Sequence, residues 1–326
     1  MAELTLVEAV NRALARAMQD DPAVIVFGED VGRDGGVFRA TEGLVERFGA
    51  ERVLDTPVAE AAIAGIAIGM AAHGLRPVAE IQFDGFMYST LDQMVNHASR
   101  LRNRTRGRLS CPMVLRAPFG GGIHAPEHHS ESPEAMFAHI PGLRVVIPSS
   151  PARAYGLLLA AIRDPDPVVF LEPKRSYRAL REEVADDGVA LALDTCFTLR
   201  EGSDLTLISW GAMLGETLAA ADALAAQGLA AEVIDVATLK PLDLPTILES
   251  VARTGRCVIV HEAARTAGLG AEIAAGLAEE GLYSLLAPVQ RVTGYDTVMP
   301  LSRLETQYLP SVERIVAAAR KTLEAS

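Results

Sequence analysis

The sequence has few cysteines, few aromatic residues and no long apolar run. Its 326 residues include three cysteines, and aromatic residues account for 5%. Cys111, Cys196 and Cys257 are far apart and odd in number, which favours reduced thiols over a disulfide framework or a zinc site. The longest uncharged apolar run, residues 61–72, is shorter than the ~20 residues that a membrane helix needs. Because no secretory leader is recognisable either, we expect a cytoplasmic protein that does not enter the membrane.

The chain also lacks an excess of positive charge. Thirty lysines and arginines stand against 42 aspartates and glutamates, which gives a net charge of −12. Such a chain repels polyanions, so nucleic acid is not an expected partner. Five arginines alternate with other residues over positions 100–108, but no aromatic residues are interleaved with them. We interpret this stretch as a loop that pairs with acidic residues of a partner subunit.

Motifs for nucleotide binding are absent as well. No Walker A sequence occurs, and the glycines at 120–122 do not open a recognisable phosphate-binding helix. His124, His128 and His129 follow those glycines, but their spacing matches no zinc motif. We interpret this segment as a catalytic loop in which a histidine transfers protons near neutral pH.

Short apolar runs do alternate with amphipathic segments along most of the chain. This alternation predicts parallel sheets with helices on both faces, and one of these helices is expected over residues 89–101. It is interrupted over residues 173–203, where charged residues cluster. The sequence therefore predicts an α/β protein with two parallel-sheet domains, residues 1–180 and 204–326, joined by a linker at 181–203.

One acidic residue stands at the start of the most apolar predicted helix, residues 59–72. We expect this helix to be buried nearly all round, and a buried carboxyl such as that of Glu60 favours its neutral form. The alternative is a first-turn acid that the helix dipole stabilises. Gly65 and Gly69 share one face of the helix and suit either internal packing or a subunit interface. Glu29 follows a predicted strand end, where parallel sheets bind ligands, or it belongs to a turn.

Several stretches in order and spacing point to one family. They are FGEDV at 27–31, GGVFR at 35–39, DTPVAE at 55–60, EIQFDGF at 80–86, HSESPEA at 129–135, AIRDPDPV at 161–168 and EPK at 172–174. Together they resemble, nearly end to end, the β subunit of the thiamine-diphosphate-dependent 2-oxo acid dehydrogenases. The resemblance implies a transketolase-like pyrimidine-binding domain followed by a transketolase C-terminal domain, in an α2β2 heterotetramer whose active sites lie between subunits.

The resemblance also assigns roles to single residues. Glu60 would be the protonated acid that hydrogen-bonds the pyrimidine ring of thiamine diphosphate, and Phe86 would stack on that ring. Glu29 and Gln82 would complete the cofactor-binding residues on this chain. His129 would assist proton transfer during reductive acylation of lipoyl groups.

The resemblance implies a potassium site on this chain, but it places the magnesium site on the partner subunit. The turn after residue 161 resembles a structural potassium site, partly formed by carbonyl oxygens of the kind that hard cations prefer; an ordinary turn is an open alternative. The matching positions are Met113, Ala161, Ile162, Asp164 and Asp166. The family's Gly-Asp-Gly motif for magnesium and diphosphate is missing here. Magnesium would therefore belong to the α subunit, and this chain would be inactive alone.

The implied reaction is oxidative decarboxylation of a 2-oxo acid, followed by acyl transfer to a lipoyl-bearing acyltransferase core. The motifs slightly favour a branched-chain substrate, with pyruvate as the alternative. A non-catalytic docking subunit is a further alternative. A self-sufficient transketolase-like enzyme is disfavoured, because it would need the missing Gly-Asp-Gly motif.

Overall fold

The computed structural model describes residues 1–325, which divide into two compact units. The first unit contains Met1–Phe119 and Met136–Leu193, and the second contains Gly120–Ala135 and the residues from Asp194 onward. Two short strands fall within the stretch that the sequence assigned to a linker, at Glu182–Val184 and Phe197–Arg200. The domain boundaries at 180 and 204 stay predictions.

The first unit is built on a parallel sheet. Its strands are β1 (Ala2–Leu4), β2 (Val24–Gly28), β3 (Val53–Asp55), β4 (Arg76–Glu80), β5 (Val114–Phe119), β6 (Arg144–Val146), β7 (Val168–Pro173) and β8 (Glu182–Val184). Six of them pair in the order β6-β7-β5-β4-β2-β3, and every one of these pairs is parallel. β1 and β8 pair separately and antiparallel. Parallel pairing requires crossover connections, which the intervening helices provide.

The helices of this part of the chain connect its strands, and the first and last of them begin with a recognisable start signal. They are α1 (Leu6–Asp20), α2 (Leu44–Phe48), α3 (Glu60–Ala72), α4 (Leu91–Asn96), α5 (Leu101–Arg104), α6 (Glu134–Ala138) and α7 (Pro151–Arg163). α1 starts with a capping box, in which the backbone N–H of Thr5 donates to Glu8 and the Thr5 hydroxyl accepts from the Glu8 N–H. α7 starts with Pro151, whose missing N–H costs nothing at the first helical position.

The second unit repeats the plan with a smaller sheet. Its strands are β9 (Phe197–Arg200), β10 (Leu205–Ser209), β11 (Ala231–Asp235), β12 (Thr238–Lys240), β13 (Cys257–His261) and β14 (Gln290–Thr293), and its helices are α8 (Leu214–Ala225), α9 (Leu244–Thr254), α10 (Leu269–Glu280), α11 (Ser302–Tyr308) and α12 (Val312–Leu323). Five strands pair in the order β14-β13-β10-β11-β9, with β9 as the antiparallel edge. The predicted α/β class with two parallel-sheet units is confirmed.

Two local predictions are corrected by the structure. α3 is not buried nearly all round: Ile63 and Ala67 are buried, whereas Ile66 and Gly69 on another face are exposed. Its apolar composition continues around the helix, but the first unit packs against one side only. The single helix predicted over residues 89–101 is broken, because the backbone at His97 (φ −125°, ψ −63°) leaves the helical region after α4.

No helix among residues 1–325 is long and apolar enough to cross a membrane. All three cysteines are buried free thiols. Burial raises the pKa of Cys111 to about 12 and also raises the pKa of Cys196 and Cys257, so none of them is a reactive thiolate at neutral pH.

A buried ion cluster joins three neighbouring strands of the first unit. Arg116 of β5 donates two hydrogen bonds to Glu172 of β7, at 2.6 and 2.8 Å, and a third to Glu80 at the end of β4. Tyr177 adds its hydroxyl to Glu172 at 2.6 Å. Arg116 and Glu172 have no exposed surface, so their charges are stable only while they compensate each other.

We predict that Arg116→Met lowers the free energy of unfolding by about 3–5 kcal/mol, because two buried carboxyl groups lose their guanidinium partner. Urea denaturation measures the change. The matched control is Arg12→Met, which removes an exposed ion pair to Asp186 (3.3 Å) and should cost about 0–1 kcal/mol. Equal losses in the two variants would contradict the prediction.

Candidate active site

The four side chains predicted to bind a cofactor lie after neighbouring strands of the first unit. Glu29 directly follows β2, Gln82 comes two residues after β4, and Glu60 begins α3 shortly after β3. Phe86 lies in a short 3₁₀ segment, Asp84–Thr90, that continues from β4. Because β4, β2 and β3 are adjacent and parallel, their carboxyl ends meet at one edge of the sheet, where such folds bind ligands.

Glu60 and Phe86 are linked through one hydroxyl. Ser89 Oγ lies 2.8 Å from the carbonyl oxygen of Phe86 and 3.4 Å from Oε2 of Glu60. Glu60 is half-buried in the chain, so the expectation of a fully buried carboxyl is corrected. The reason is its place at the partly exposed start of α3, which leaves one side of the carboxyl open to a ligand.

Phe86 belongs to a row of aromatic rings that begins inside the unit. It packs edge-on against Phe83 at 6.1 Å between ring centroids, Phe83 packs against Phe38 at 5.5 Å, and Phe38 packs against buried Tyr177 at 5.3 Å. Phe86 itself is half-buried. Its ring is therefore supported from behind and partly open, unlike a phenylalanine enclosed in a core.

Glu29 is the most enclosed carboxyl of this group. It is 2% exposed, and its Oε1 has no hydrogen-bond partner among the described residues. Burial raises the pKa of Glu29, and the nearby carboxylates of Glu60 and Asp30 raise it further. Gln82 donates to Asp30 at 2.7 Å, so its amide holds the turn after β2.

The turn after β2 is fastened to the end of β3. Asp55 accepts from the backbone N–H of Gly32 at 2.6 Å and from that of Arg33 at 3.1 Å. At the end of β2, a Cβ on Gly28 would collide with the backbone oxygen of Glu80, so the close approach of β2 and β4 requires glycine there. These contacts hold Glu29 at the strand edge.

The predicted catalytic histidine lies in the second unit. His129 closes a 3₁₀ turn, Glu127–His129, is half-buried, and packs edge-on against the His128 ring at 4.2 Å. His124 lies nearer the glycines and bonds to Glu305 through Nδ1 at 2.7 Å. Within residues 1–325, no three histidine, cysteine or acidic side chains are arranged to hold a metal.

Carboxylates at the turn that resembles a potassium site already pair with arginines. Asp164 caps the end of α7 and pairs with Arg144 at 3.2 Å. Asp166 pairs with Arg102 at 2.6 Å, and its backbone N–H donates to Asp164 at 2.8 Å. Arg102 therefore pairs with an acidic residue of this chain. The expectation that it pairs with acidic residues of a partner subunit is wrong for Arg102.

The carbonyl oxygens at this turn are also engaged. Ile162 O accepts from Arg76 at 3.1 Å, Ala161 O from the N–H of Asp164 at 3.3 Å, and Met113 O from the N–H of Val168 at 3.0 Å. This arrangement suits an ordinary turn, and potassium binding stays a prediction.

Known proteins resemble the chain over its whole length. The model "Transketolase, pyrimidine binding domain" matches residues 2–179, and "Transketolase, C-terminal domain" matches residues 195–315. "Pyruvate dehydrogenase E1 component subunit beta" of Acholeplasma laidlawii is 49% identical over 325 residues, covering 100% of this chain and 99% of the relative. The protein of the same name in Bacillus subtilis is 48% identical over 324 residues, covering 99% and 100%.

This chain belongs to the β-subunit family of the thiamine-diphosphate-dependent 2-oxo acid dehydrogenases. A solved structure supports the fold of this β subunit. It is described as "Split gene transketolase, inactive beta4 tetramer", with a TM-score of 0.82, 26% identity and 99% coverage of both chains. Association with thiamine diphosphate follows from the family.

The residues at the strand edge of the β subunit fit the pyrimidine end of that cofactor. The orphaned buried Oε1 of Glu29 and the half-open carboxyl of Glu60 provide polar groups for ring nitrogens. The half-open face of Phe86 provides a surface for an aromatic ring.

Sequence reasoning missed buried charged residues next to this site. Lys174 pairs with Asp84 at 2.8 Å, and neither side chain is exposed. Lys174 also lies 5.6 Å from the centroid of Phe83, so this pair supports the aromatic row. Charged residues inside or directly after apolar strands, such as Arg116 and Lys174, were the available signal, because such residues need buried partners.

We predict that Glu29→Gln raises the melting temperature of the β subunit more at pH 7 than near pH 4.5, which is the ordinary pKa of a glutamate side chain. The native state keeps the Glu29 proton to higher pH than the unfolded chain does. Wild-type stability therefore falls as the pH rises through the elevated pKa, and glutamine removes this loss.

Thermal melts at both pH values measure the effect of Glu29→Gln. Glu46→Gln is the control, because Glu46 is an exposed acid in the first turn of α2. A stabilisation by Glu29→Gln that does not depend on pH would refute the argument.

Proposed function

We propose that this β subunit completes, together with an α subunit, the active site of a decarboxylating 2-oxo acid dehydrogenase that uses pyruvate. The observation that carries the proposal is the placement of Glu60 beside Ser89 and Phe86, at the ligand-binding edge of a sheet that also presents buried Glu29. The named relatives, 46–49% identical over the whole chain, support the same role.

Pyruvate replaces the branched-chain acids as the expected substrate. The relatives from Acholeplasma laidlawii, Bacillus subtilis and Staphylococcus aureus are all named as pyruvate dehydrogenase subunits. The slight preference for branched-chain substrates that the motifs suggested finds no support in these relatives.

Thiamine diphosphate, when bound, supplies the electron sink that decarboxylation of a 2-oxo acid requires. Glu60 holds a proton at its carboxyl for a nitrogen of the pyrimidine ring, and Ser89 orients that carboxyl. Phe86 offers its open face to the ring and is held by Phe83. Buried Glu29, whose pKa is raised by burial, lies near Glu60, the position expected for a member of an acidic chain between two cofactor sites.

His129 moves a proton during acyl transfer to the lipoyl group. Its half-buried ring is accessible, and the neighbouring His128 ring restricts its orientation. An imidazole suits this task because its proton exchanges near neutral pH.

The remaining parts of the assembly come from partners. The chain has no Gly-Asp-Gly motif, so the α subunit supplies the magnesium and diphosphate site in an α2β2 heterotetramer. The exposed apolar side of α3, with Ile66 and Gly69, is a surface that such a partner would cover. The acyltransferase core receives the acyl group on its lipoyl arm. A cytoplasmic location stays a prediction.

We predict that Glu60→Gln, co-expressed with the α subunit, lowers the decarboxylation rate by about 100-fold or more while the heterotetramer still forms, because an amide cannot donate the carboxyl proton. Turnover with an artificial electron acceptor and sedimentation measure the two properties. Glu272→Gln is the control, since Glu272 is an exposed first-turn acid of α10.

Activity of Glu60→Gln near that of the control would contradict the assignment of Glu60 as a catalytic acid. Loss of assembly without a separate loss of turnover per assembled particle would instead favour a non-catalytic docking subunit. Turnover by the β subunit alone would favour a self-sufficient transketolase-like enzyme.

We also predict that the reconstituted enzyme has a higher kcat/KM for pyruvate than for 2-oxoisovalerate or 2-oxoisocaproate. Steady-state assays of the three acids on one preparation give the ratio. A ratio that favours either branched acid would overturn the substrate assignment and leave the decarboxylase assignment in place.

A further inference from the structure

Glu305 is a buried carboxylate of the second unit that takes no part in the proposed chemistry. It lies in the middle of α11 and is 1% exposed. A buried carboxylate is tolerated only where donors compensate for the lost water. The position of those donors therefore indicates what Glu305 holds.

Among the described residues, the donors to the Glu305 carboxylate all lie in the glycine-rich loop, residues 120–131. Its Oε1 accepts from the backbone N–H of Gly122 at 2.6 Å, and its Oε2 accepts from the backbone N–H of His124 at 3.0 Å. The Nδ1 atom of His124 lies 2.7 Å from Oε2. One side chain of α11 thus holds two backbone positions and one imidazole.

The loop needs such a clamp because its backbone is unusual. Gly120 and Gly122 have φ values of +86° and +89°, and His124 has a φ of +61°, which is uncommon for a residue with a side chain. A Cβ on Gly121 would approach Met299 Cε to 2.5 Å, so the loop packs tightly against the segment that leads into α11. The bonds to Glu305 offset the cost of this conformation.

The clamped segment leads directly to His129. The backbone N–H of Gly120 donates to Glu131 O at 2.9 Å and closes the base of the loop. Within it, the N–H of His129 donates to Pro126 O at 2.9 Å. The loop is therefore closed at its base by a backbone hydrogen bond, and Glu305 holds it next to its glycines.

We propose that Glu305 is a positioning residue that fixes the histidine loop and thereby places His129 for acyl transfer. The role of His129 in this inference rests on the proposed function. The contacts between Glu305 and the loop are given by the structure. A displacement of about 1 Å at a reacting group can slow a reaction by about 100-fold, so a weakened clamp should slow the step that uses His129.

The test uses Glu305→Ala and Glu305→Gln in the assembled α/β enzyme. Alanine removes all three contacts, whereas glutamine keeps one acceptor oxygen and should retain part of the function. Glu232→Gln is the matched control, because Glu232 is a buried glutamate of the same unit that pairs with Arg253 and lies on β11 rather than α11. If Glu305→Ala does not fold, Glu305→Gln carries the test.

Two measurements separate positioning from general damage. We expect kcat for acyl transfer to lipoamide to fall by about 10-fold or more in Glu305→Ala and less in Glu305→Gln. The KM for pyruvate and decarboxylation with an artificial acceptor should remain close to wild type. Hydrogen exchange of peptides covering residues 120–131 should be faster in both Glu305 variants than in Glu232→Gln.

Unchanged hydrogen exchange in the loop, or equal loss of decarboxylation and acyl transfer, would overturn the proposal. If the wild-type enzyme transfers no acyl group, the proposed function fails, and the exchange experiment still decides whether Glu305 holds the loop.

Discussion

The sheet of the first unit depends on the ion pairs that the buried guanidinium of Arg116 forms. It joins Glu80 at the end of β4 to Glu172 of β7, across the central strands of the sheet. The segment that carries Gln82 and Phe86 begins immediately after Glu80. The ion cluster thus sets the strand register directly beneath the candidate cofactor residues, and its dependence on full charge compensation makes that register hard to change.

Two other buried carboxyls show how environment assigns a chemical role. Glu29 has an oxygen without a donor and carboxylate neighbours, so burial raises its pKa and favours the protonated form. Glu305 is surrounded by N–H donors from Gly122 and His124, an arrangement that suits a hydrogen-bond acceptor. The first is fitted to hold a proton near a ligand, and the second to hold a loop.

The fold class and the strand-edge positions of Glu29 and Glu60 were predictable, because the alternation of apolar runs and helices reports parallel sheets whose carboxyl ends carry ligand residues. The exposed side of α3 was not predictable, since an apolar helix looks the same in sequence whether its own chain or a partner covers it. The contact of Glu305 with the glycine-rich loop could not be predicted from the sequence either. About 180 residues separate the partners, and no periodic pattern connects them.

By itself, the amino-acid order determined the two-sheet architecture, the family and the identity of the groups able to carry acid–base chemistry, because these follow from local patterning and motif spacing. Only the tertiary structure decided which carboxyls are buried, which arginines neutralise them and which helix clamps the histidine loop. Those properties depend on side chains distant in sequence that meet in a low-dielectric interior, where a charge is tolerated only beside its partner.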